Sequence, residues 1–530
     1  GLRTWAILKN VPRSTVNLLL AVLRNLYHLD VPKDARTLLK TSSEVGLEVQ
    51  TISGGEFWYQ GVETVLQSYF RNSVPENDTF TIQVSIDGLP LYKSSGKQLW
   101  PILIWVEDLP QAPVMLAGLF SGVAKPELVD EYLGPLVSEL NELQERGLRF
   151  GDKVVGLKIG AFIADSPARA FIKATTYFNG KHGCQKCSCV GEHIQPENKI
   201  IFVSVDAELR TDAGFRARVD KDHHKSWPTP LEKLNNFNLI ENVPTSEELH
   251  LLDRGVSKKI VLGLYEGIFE NFNRWTPRQK EAVNKFLSQT RLPSEVNRPL
   301  RSFRLAHFWK ATEWRSFLHY VSIAVLKDFM PCNAFNHFLL YFCSVTIFSS
   351  SSHKQLWPLA EKFLYHFVKD FPQYYGRSHM TSNVHNLLHV SGDVAKFGQL
   401  DRFSAYRFEN YLQILKRHVR SGTRVVAPVA ARMQKIASLQ VTANSATLSY
   451  PRLKDNADNG IIKFLEAKKL SSLMYTIIGI QYESWTEQFN VSVDDNMNGR
   501  IMLSSTDIHV YKIKETGLSR MVEVPWYMIK

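Results

Sequence analysis

Hydrophobic and polar positions alternate between residues 80 and 106, which is the period of a half-buried β-strand. A first run from Phe80 to Ile86 ends at Asp87, and further strands are predicted from Leu89 to Tyr92 and from Leu99 to Val106. The pattern therefore predicts an antiparallel group of two or three strands, with an acidic residue where the first strand ends.

After residue 125 the spacing of hydrophobic residues changes from that of a strand to that of a helix. Leucines recur at helical spacing from Pro126 to Arg146, which predicts an amphipathic helix. A β-type apolar run from Val154 to Ile163 leads to Asp165, and Ser166 with Pro167 opens another helix, because Ser caps a helix and Pro suits its first turn. Three strands, a helix, a strand and a helix is the order of a ribonuclease H-like α/β core, which we predict for residues 79–194.

The period of the hydrophobic residues also divides the rest of the chain into regions. Residues 1–78 are predicted to be mostly helical, with a short helix, a turn and a second helix that suit either DNA binding or dimerisation. Residues 195–380 are predicted to form a large helical insertion domain, all-α after one further strand at Ile200–Val205, because they are rich in helical periodicity and aromatic residues. Residues 381–440 return to the core, and alternation in residues 441–530 predicts a small C-terminal β-rich domain.

Composition narrows the possible partners and the compartment. The chain has 530 residues, 44% of them hydrophobic, and a net charge of +11. An acidic partner such as nucleic acid fits this charge, and so does an ordinary basic soluble protein. Three of the five cysteines lie at 184, 187 and 189, which favours a metal site in a reducing compartment over a disulfide scaffold. No apolar run approaches ~18 residues, so we expect no membrane span.

Three acids form a candidate catalytic set. Asp87 and Asp165 each follow a strand, and Glu409 lies in a helical pattern after the insertion. Two divalent ions held ~3.5–4 Å apart by such carboxylates can activate a water or a 3′-hydroxyl and stabilise the leaving oxygen of a phosphodiester. Mg²⁺ and Mn²⁺ prefer these hard oxygen ligands. Singly, each is one of 52 acidic residues, and Asp401 is an alternative to Glu409.

A second set predicts a zinc site. Cys184 and Cys187 have metal-ligand spacing but supply only half of a tetrahedral shell. His385 and His389, which share one helix face, complete a Cys₂His₂ set and would leave zinc a structural role. The competing ligands are His182, Cys189 and His193; alternatively, the cysteines are free thiols and the histidines bind no metal.

Basic residues in the insertion leave two interpretations open. Arg298, Arg301 and Arg304 lie close together, as do Lys310 and Arg315. These residues either face a phosphate backbone or form a solvated surface, which is the commoner role of such a patch.

These motifs together resemble a known family, over roughly residues 80–430. The chain is similar to transposases of the CACTA/EnSpm (CMC) type, and the order of its acids, cysteines and histidines also resembles Transib transposases and the catalytic subunit of the V(D)J recombinase. Seven segments carry the resemblance: Ser-Ile-Asp87-Gly-Leu-Pro-Leu, Trp100-Pro-Ile, Leu133-Gly-Pro-Leu-Val-Ser-Glu-Leu, Asp165-Ser-Pro-Ala-Arg-Ala-Phe, Gly183-Cys-Gln-Lys-Cys187, Asn383-Val-His-Asn-Leu-Leu-His389, and Phe408-Glu409. The recombinase relatives have a slightly longer gap between their two histidines.

The resemblance implies a function. In these relatives a ribonuclease H-like core carries a helical insertion closed by zinc. It implies that Asp87, Asp165 and Glu409 bind two Mg²⁺ (or Mn²⁺) ions, and that the two cysteines and two histidines bind one structural Zn²⁺. The expected protein is a nuclear DDE transposase, an endonuclease and DNA strand transferase that works as a homodimer on transposon ends and target DNA. The alternatives are a domesticated, non-catalytic DNA-binding protein and a nuclease without strand transfer.

Overall fold

The computed structural model of this chain divides into two units, residues 1–442 and 443–530. It describes residues 1–39, 46, 48–92, 95–272, 274–293, 296, 298–419, 424–437 and 439, together with the backbone of five strands between residues 462 and 525. In this part of the chain, no helix combines the length and the apolar character that crossing a bilayer requires.

The first unit contains ten strands and a long series of helices. The strands are β1 (Gln50–Ile52), β2 (Gly55–Tyr59), β3 (Thr79–Ile86), β4 (Leu89–Pro90), β5 (Gln98–Val106), β6 (Met115–Gly122), β7 (Leu148–Phe150), β8 (Lys153–Ile163), β9 (Glu192–Ile194) and β10 (Lys199–Ile201). The α-helices are α1 (Leu2–Leu8), α2 (Arg13–Asn25), α3 (Ala35–Leu38), α4 (Val62–Tyr69), α5 (Val129–Arg146), α6 (Ser166–Ile172), α7 (Asp212–Arg216), α8 (Lys258–Glu266), α9 (Pro277–Gln289), α10 (Ala311–Tyr320), α11 (Ser322–Phe329), α12 (Cys332–Phe348), α13 (Trp357–Tyr375), α14 (Ser382–His385), α15 (Val390–Phe397), α16 (Tyr406–His418) and α17 (Val426–Ala437). A π-helix spans Glu248–Ser257, and 3₁₀ turns span Lys221–His223, Pro230–Lys233, Phe303–Phe308, Ser351–Leu356, Arg377–His379, Asn386–His389 and Leu400–Phe403.

A mixed sheet organises this unit. Its strands lie in the order β1-β2-β6-β5-β3-β8-β7, with β4 paired to β5. β3, β5 and β6 are antiparallel neighbours, whereas β3 and β8 run parallel. A parallel pair needs a crossover connection, which α5 provides; α5 buries Tyr132, Leu136 and Leu140 in the core shared with the sheet. The result is a mixed α/β core with attached helical regions, which confirms the coarse fold prediction.

Three parts of the sheet were not predicted: β1 with β2, β6, and the short edge strand β7. The expectation that residues 1–78 are helical is wrong for Gln50–Tyr59, because β2 pairs with β6 inside the main sheet. β6 itself is buried along its whole length. A fully buried strand loses the alternation of apolar and polar residues, so its period gives no strand signal.

The all-α interpretation of residues 195–380 also needs a correction at its beginning. β10 overlaps the strand predicted at Ile200–Val205 and forms a hairpin with β9, but residues up to Val243 contribute Phe215, Leu231 and Phe237 to the core beside the sheet. The backbone N–H of Phe162 donates to the carbonyl of Asn242 at 2.9 Å, so this segment lies along β8. The continuous helical part therefore begins with the π-helix at Glu248, and it continues to Tyr375 through α8–α13.

The N-terminal helices pack on the end of the first unit. Ala6, Ile7, Val16 and Leu20 form a small apolar cluster, against which Ile436 also packs. α2 begins at Arg13 and ends at Asn25, three and four residues earlier than the helix Val16–Leu29 that the apolar pattern predicts. DNA contact by this pair of helices stays a prediction.

The second unit is described by its strands alone. They are β11 (Ile462–Lys469), β12 (Met474–Gln481), β13 (Ser484–Asn490), β14 (His509–Lys514) and β15 (Ser519–Pro525). β12 pairs with β11 and β15, and β13 pairs with β14, all antiparallel. The predicted β-type alternation after residue 441 agrees with these strands.

Candidate active site and metal centre

Asp87 and Asp165 lie side by side because the strands that precede them are parallel neighbours. β3 and β8 pair with Ser85 opposite Ile163, and this register, continued by two residues, sets Asp87 opposite Asp165. Asp165 also caps α6, since its carboxylate accepts the backbone N–H of Ala168 at 2.7 Å. The structure thus brings both acids to the same edge of the sheet.

A histidine that the sequence did not single out completes this group. One ligand atom each from Asp87, Asp165 and His250 lie within 4.8 Å of one another, and all three residues are half-buried. His250 belongs to the π-helix Glu248–Ser257, an unusual element that is often associated with functional sites. Its other ring nitrogen, Nδ1, lies 2.5 Å from a carboxylate oxygen of the buried Glu247, which fixes the orientation of the ring.

Glu409 lies next to the same histidine. It is in the first turn of α16, and its carboxylate is 3.8 Å from Nε2 of His250. Glu409 is not one of the three residues whose ligand atoms lie mutually within 4.8 Å, but it is close enough to Asp87 to raise the pKa of that acid. We call Asp87, Asp165, His250 and Glu409 the acid cluster.

The electrostatics of the acid cluster reflect this crowding. Burial and the neighbouring Asp165 and Glu409 carboxylates raise the pKa of Asp87 well above its ordinary value, while His250 opposes the rise. Burial alone would lower the pKa of His250, but Glu247, Asp87 and Asp165 raise it to about 9. At neutral pH the ring is therefore a cation held among carboxylates, which is the environment that a bound metal ion would also find.

Asp401, the alternative to Glu409, lies elsewhere. It is exposed and lines a separate surface cavity with Trp105 and Arg402. Of the two candidate acids in this part of the chain, Glu409 is the one that faces His250.

The predicted zinc ligands also converge. Nε2 of His389 lies 3.3 Å from Sγ of Cys184, Nε2 of His385 lies 3.2 Å from Sγ of Cys187, and the two sulfurs are 3.4 Å apart. All four residues are buried, and their ligand atoms lie within 4.8 Å of one another. Zinc bonds of about 2.3 Å to sulfur and 2.0–2.1 Å to nitrogen place tetrahedral ligand atoms roughly 3.5–3.8 Å apart, so this set, the cysteine–histidine cluster, needs only small shifts to hold Zn²⁺.

The thiol chemistry of this cluster suits a metal. Burial alone would raise the pKa of Cys184, but contacts from Cys187, His389 and His385 hold it well below its ordinary value. The pKa of Cys187 is raised, because it hydrogen-bonds to Cys184 and is itself buried. One proton shared between two buried sulfurs is what a divalent cation would replace.

The competing ligands are engaged elsewhere. His182 contacts Asp220 at 2.9 Å, and His193 contacts the side chain of Asn198 at 2.7 Å. Cys189 is buried near the cluster but does not belong to the group of four.

A buried ion pair links the two clusters. Lys186, between the two cysteines, lies 2.7 Å from the carboxylate of Asp393. Asp393 also accepts the backbone N–H groups of Thr245 at 2.8 Å and Ser246 at 3.1 Å, directly before Glu247. The cysteine–histidine cluster is thereby connected to the residue that orients His250.

Several basic residues of the insertion are paired within the chain. Arg301 lies 2.6 Å from the buried carboxylate of Glu313, and Arg304 lies 2.7 Å from Glu281. These arginines therefore present less uncompensated charge than their sequence spacing suggests.

Sequence reasoning missed Glu247 and His250. The signal was a glutamate three residues before a histidine, which places both on one helical face. With 16 histidines in the chain and no strand end nearby, this spacing did not stand out.

Neither a scan against models of known protein families nor a search of curated proteins found a match for this chain. The geometry of its own residues is therefore the basis on which a function can be assigned.

Proposed function

We propose that this chain is a DDE transposase of the CACTA/EnSpm type, which cleaves DNA at transposon ends and joins the freed 3′-hydroxyl to target DNA. The observation that carries the proposal is the convergence of Asp87, Asp165 and Glu409 around His250. The chain between the second and third acids passes through the whole helical insertion, and still returns Glu409 to the same point.

The sheet supports a ribonuclease H-like core. Its central strands lie in the order β6-β5-β3-β8. β6, β5 and β3 are antiparallel neighbours, and β8 runs parallel to β3. This is the arrangement expected of that fold, and it puts the two aspartates at the carboxyl ends of adjacent strands, where ligands bind in open α/β sheets.

The donor sets suggest which metals are bound. Carboxylate oxygens suit Mg²⁺ or Mn²⁺, so Asp87, Asp165 and Glu409 would hold two such ions, and His250 would add a nitrogen ligand only on losing the proton it carries in their absence. When bound, the ions would supply the activated oxygen nucleophile and the charge that stabilises the leaving oxygen. Two buried thiols and two imidazoles suit one structural Zn²⁺.

The residues of the chain prepare this chemistry. Asp165 is fixed by its cap on α6, and Glu247 holds His250 toward the aspartates. The net charge of +11 favours association with DNA. Because two transposon ends have to be brought together, we propose a homodimer, and the nucleus as its place of action.

The test is strand cleavage of a labelled transposon-end substrate. Asp87→Ala, Asp165→Ala and Glu409→Ala should each lower the cleavage rate about 1000-fold, since each removes several kcal/mol of charge stabilisation, while DNA affinity stays unchanged. Asp401→Ala is the matched control and should cleave normally. Retained cleavage in any of the three variants removes that acid from the site, and cleavage without joined products would favour a nuclease without strand transfer.

A further inference from the structure

Two neighbouring aromatic side chains are exposed beside the acid cluster. Tyr177 and Phe178 lie on the loop between α6 and the metal-binding cysteines, and each is 37% exposed. Single exposed aromatic residues are common on protein surfaces, but adjacent ones combined with cations are typical of a binding surface.

Two lysines gather around the first of these rings. Nζ of Lys125 lies 2.5 Å from the hydroxyl of Tyr177 and 5.0 Å from its ring centroid, and Nζ of Lys225 lies 5.5 Å from the same centroid. In the part of the chain that the structure describes, neither lysine has a carboxylate within 4.0 Å. Both lysines contact Tyr177, which leaves Phe178 as the ring available for stacking.

This surface lies at the same edge of the sheet as the two aspartates. Lys125 follows β6, whose last residue, Gly122, pairs with Gln98 at the beginning of β5, the edge where β3 ends. Phe178 lines a small cavity together with Ser166, the residue directly after Asp165. The same cavity is lined by Cys184 and His385, so Phe178 lies between the cysteine–histidine cluster and the N-terminus of the helix that Asp165 caps.

The loop is held in a fixed conformation. The backbone N–H of Thr176 donates to His223 and that of Lys225 donates to Ala174, both at 2.8 Å. Gly183 closes the turn, because a Cβ atom there would lie 2.4 Å from the carbonyl oxygen of Tyr177. The next residue is Cys184, so the metal-binding cluster anchors the far end of the loop.

We propose that Lys125, Tyr177, Phe178 and Lys225, the aromatic–lysine platform, bind an unpaired nucleotide of a DNA strand next to the acid cluster. The base stacks on Phe178, and the adjacent phosphates bind the two lysines and the hydroxyl of Tyr177. Bases in an intact duplex offer only their edges, whereas stacking on a side chain requires a free face. This inference rests on the proposed function, since it takes DNA as the substrate of the neighbouring acids.

The experiment compares three oligonucleotides by fluorescence anisotropy, with the full chain in buffer without Mg²⁺: a blunt duplex, the same duplex with a single-stranded 3′ tail, and the tail strand alone. The wild-type chain should prefer the tailed duplex over the blunt one about tenfold, the order that one stacked base contributes. Phe178→Ala should abolish this preference and Phe178→Trp should keep it. Phe286→Ala, at a similarly exposed phenylalanine on α9, should leave it unchanged.

The lysines have a separate readout. Lys125→Ala should reduce the slope of log affinity against log salt by about 0.7 for the single strand, because one phosphate contact is lost. Equal binding of blunt and tailed duplex by the wild-type chain, or a preference that survives in Phe178→Ala, would overturn the proposal. If the wild-type chain prefers the tailed duplex but never cleaves DNA, the proposed transposase activity is contradicted, while the proposed binding of an unpaired nucleotide by the platform stands.

Discussion

The cysteine–histidine cluster and the acid cluster are both assembled from residues far apart in the chain, yet their surroundings differ. The two cysteines and two histidines are 1–7% exposed, and they supply four protein side chains whose ligand atoms lie within 4.8 Å of one another. In the acid cluster the His250 and Glu409 side chains are 20% and 30% exposed, and burial with the neighbouring carboxylates raises the pKa of Asp87. A closed set of four ligands serves structure, whereas an open set of crowded carboxylates is ready to bind ions and substrate.

The largest expected difference between the two clusters is in stability, when a ligand of the cysteine–histidine cluster is removed. Cys187→Ser should abolish the single bound zinc and lower Tm on the order of 10 °C, because the binding energy of a structural zinc is folding energy. Metal analysis by mass spectrometry and calorimetry measure both. Cys189→Ser, at a buried cysteine outside the group of four, should keep zinc and Tm; a Cys187→Ser chain with full zinc content would show that the cluster is no metal site.

A smaller effect is expected at Glu247, which serves the acid cluster through His250. The two carboxylate oxygens of Glu247 accept the backbone N–H groups of Leu249 and His250; Glu247→Gln keeps one of these acceptors and removes the charge that orients the ring. Cleavage should fall about 10–100-fold, with a higher Mg²⁺ requirement and unchanged DNA affinity. Glu241→Gln, which breaks only an exposed ion pair with Lys396, is the control. An unchanged Mg²⁺ dependence would exclude the positioning role.

The smallest effect is on stability. Because the folded-state pKa of Asp87 is raised, the folded chain binds this proton more tightly than the unfolded chain, so stability falls as pH rises above about 4. Asp87→Asn should remove this cost and raise Tm by roughly 2 °C at neutral pH without Mg²⁺, with a gain that shrinks toward pH 4.

Asp220 provides the opposite control for that measurement. Burial would raise its pKa, but Arg210 and His182 hold it lower than usual, so Asp220→Asn should lower Tm at neutral pH. Thermal melts of Asp87→Asn and Asp220→Asn at several pH values would show whether the two substitutions change Tm in opposite directions. A fall in Tm for Asp87→Asn would mean that this carboxylate stabilises the metal-free fold.

Local pattern was enough to find Asp87 and Asp165, since each follows a strand, and parallel pairing sets them side by side. Spacing was enough to find the two cysteines and two histidines. Local pattern could not find β6, because a strand buried on both faces shows no alternation of apolar and polar residues. It also missed the strands within Gln50–Tyr59, which join the sheet by pairing with β6.

Glu247 and His250 show a different limit. Their importance depends on where a π-helix returns to the sheet, which is set by tertiary packing and not by local propensity. Likewise, the core residues Phe215 and Phe237 lie in irregular segments, where no periodic pattern marks the buried side chains.

The cysteine–histidine cluster at the base of the helical insertion affects the entropy of closing that segment of the chain. Cys187 and His385 are separated by 198 positions, and their contact holds the two ends of that long segment together. Once the ends are fixed, doubling a flexible segment between them would add only about 0.6 kcal/mol of closure cost. A flexible stretch added at an exposed turn of the insertion would therefore cost little closure free energy, and Glu409 would keep its distance from the strands that carry Asp87 and Asp165.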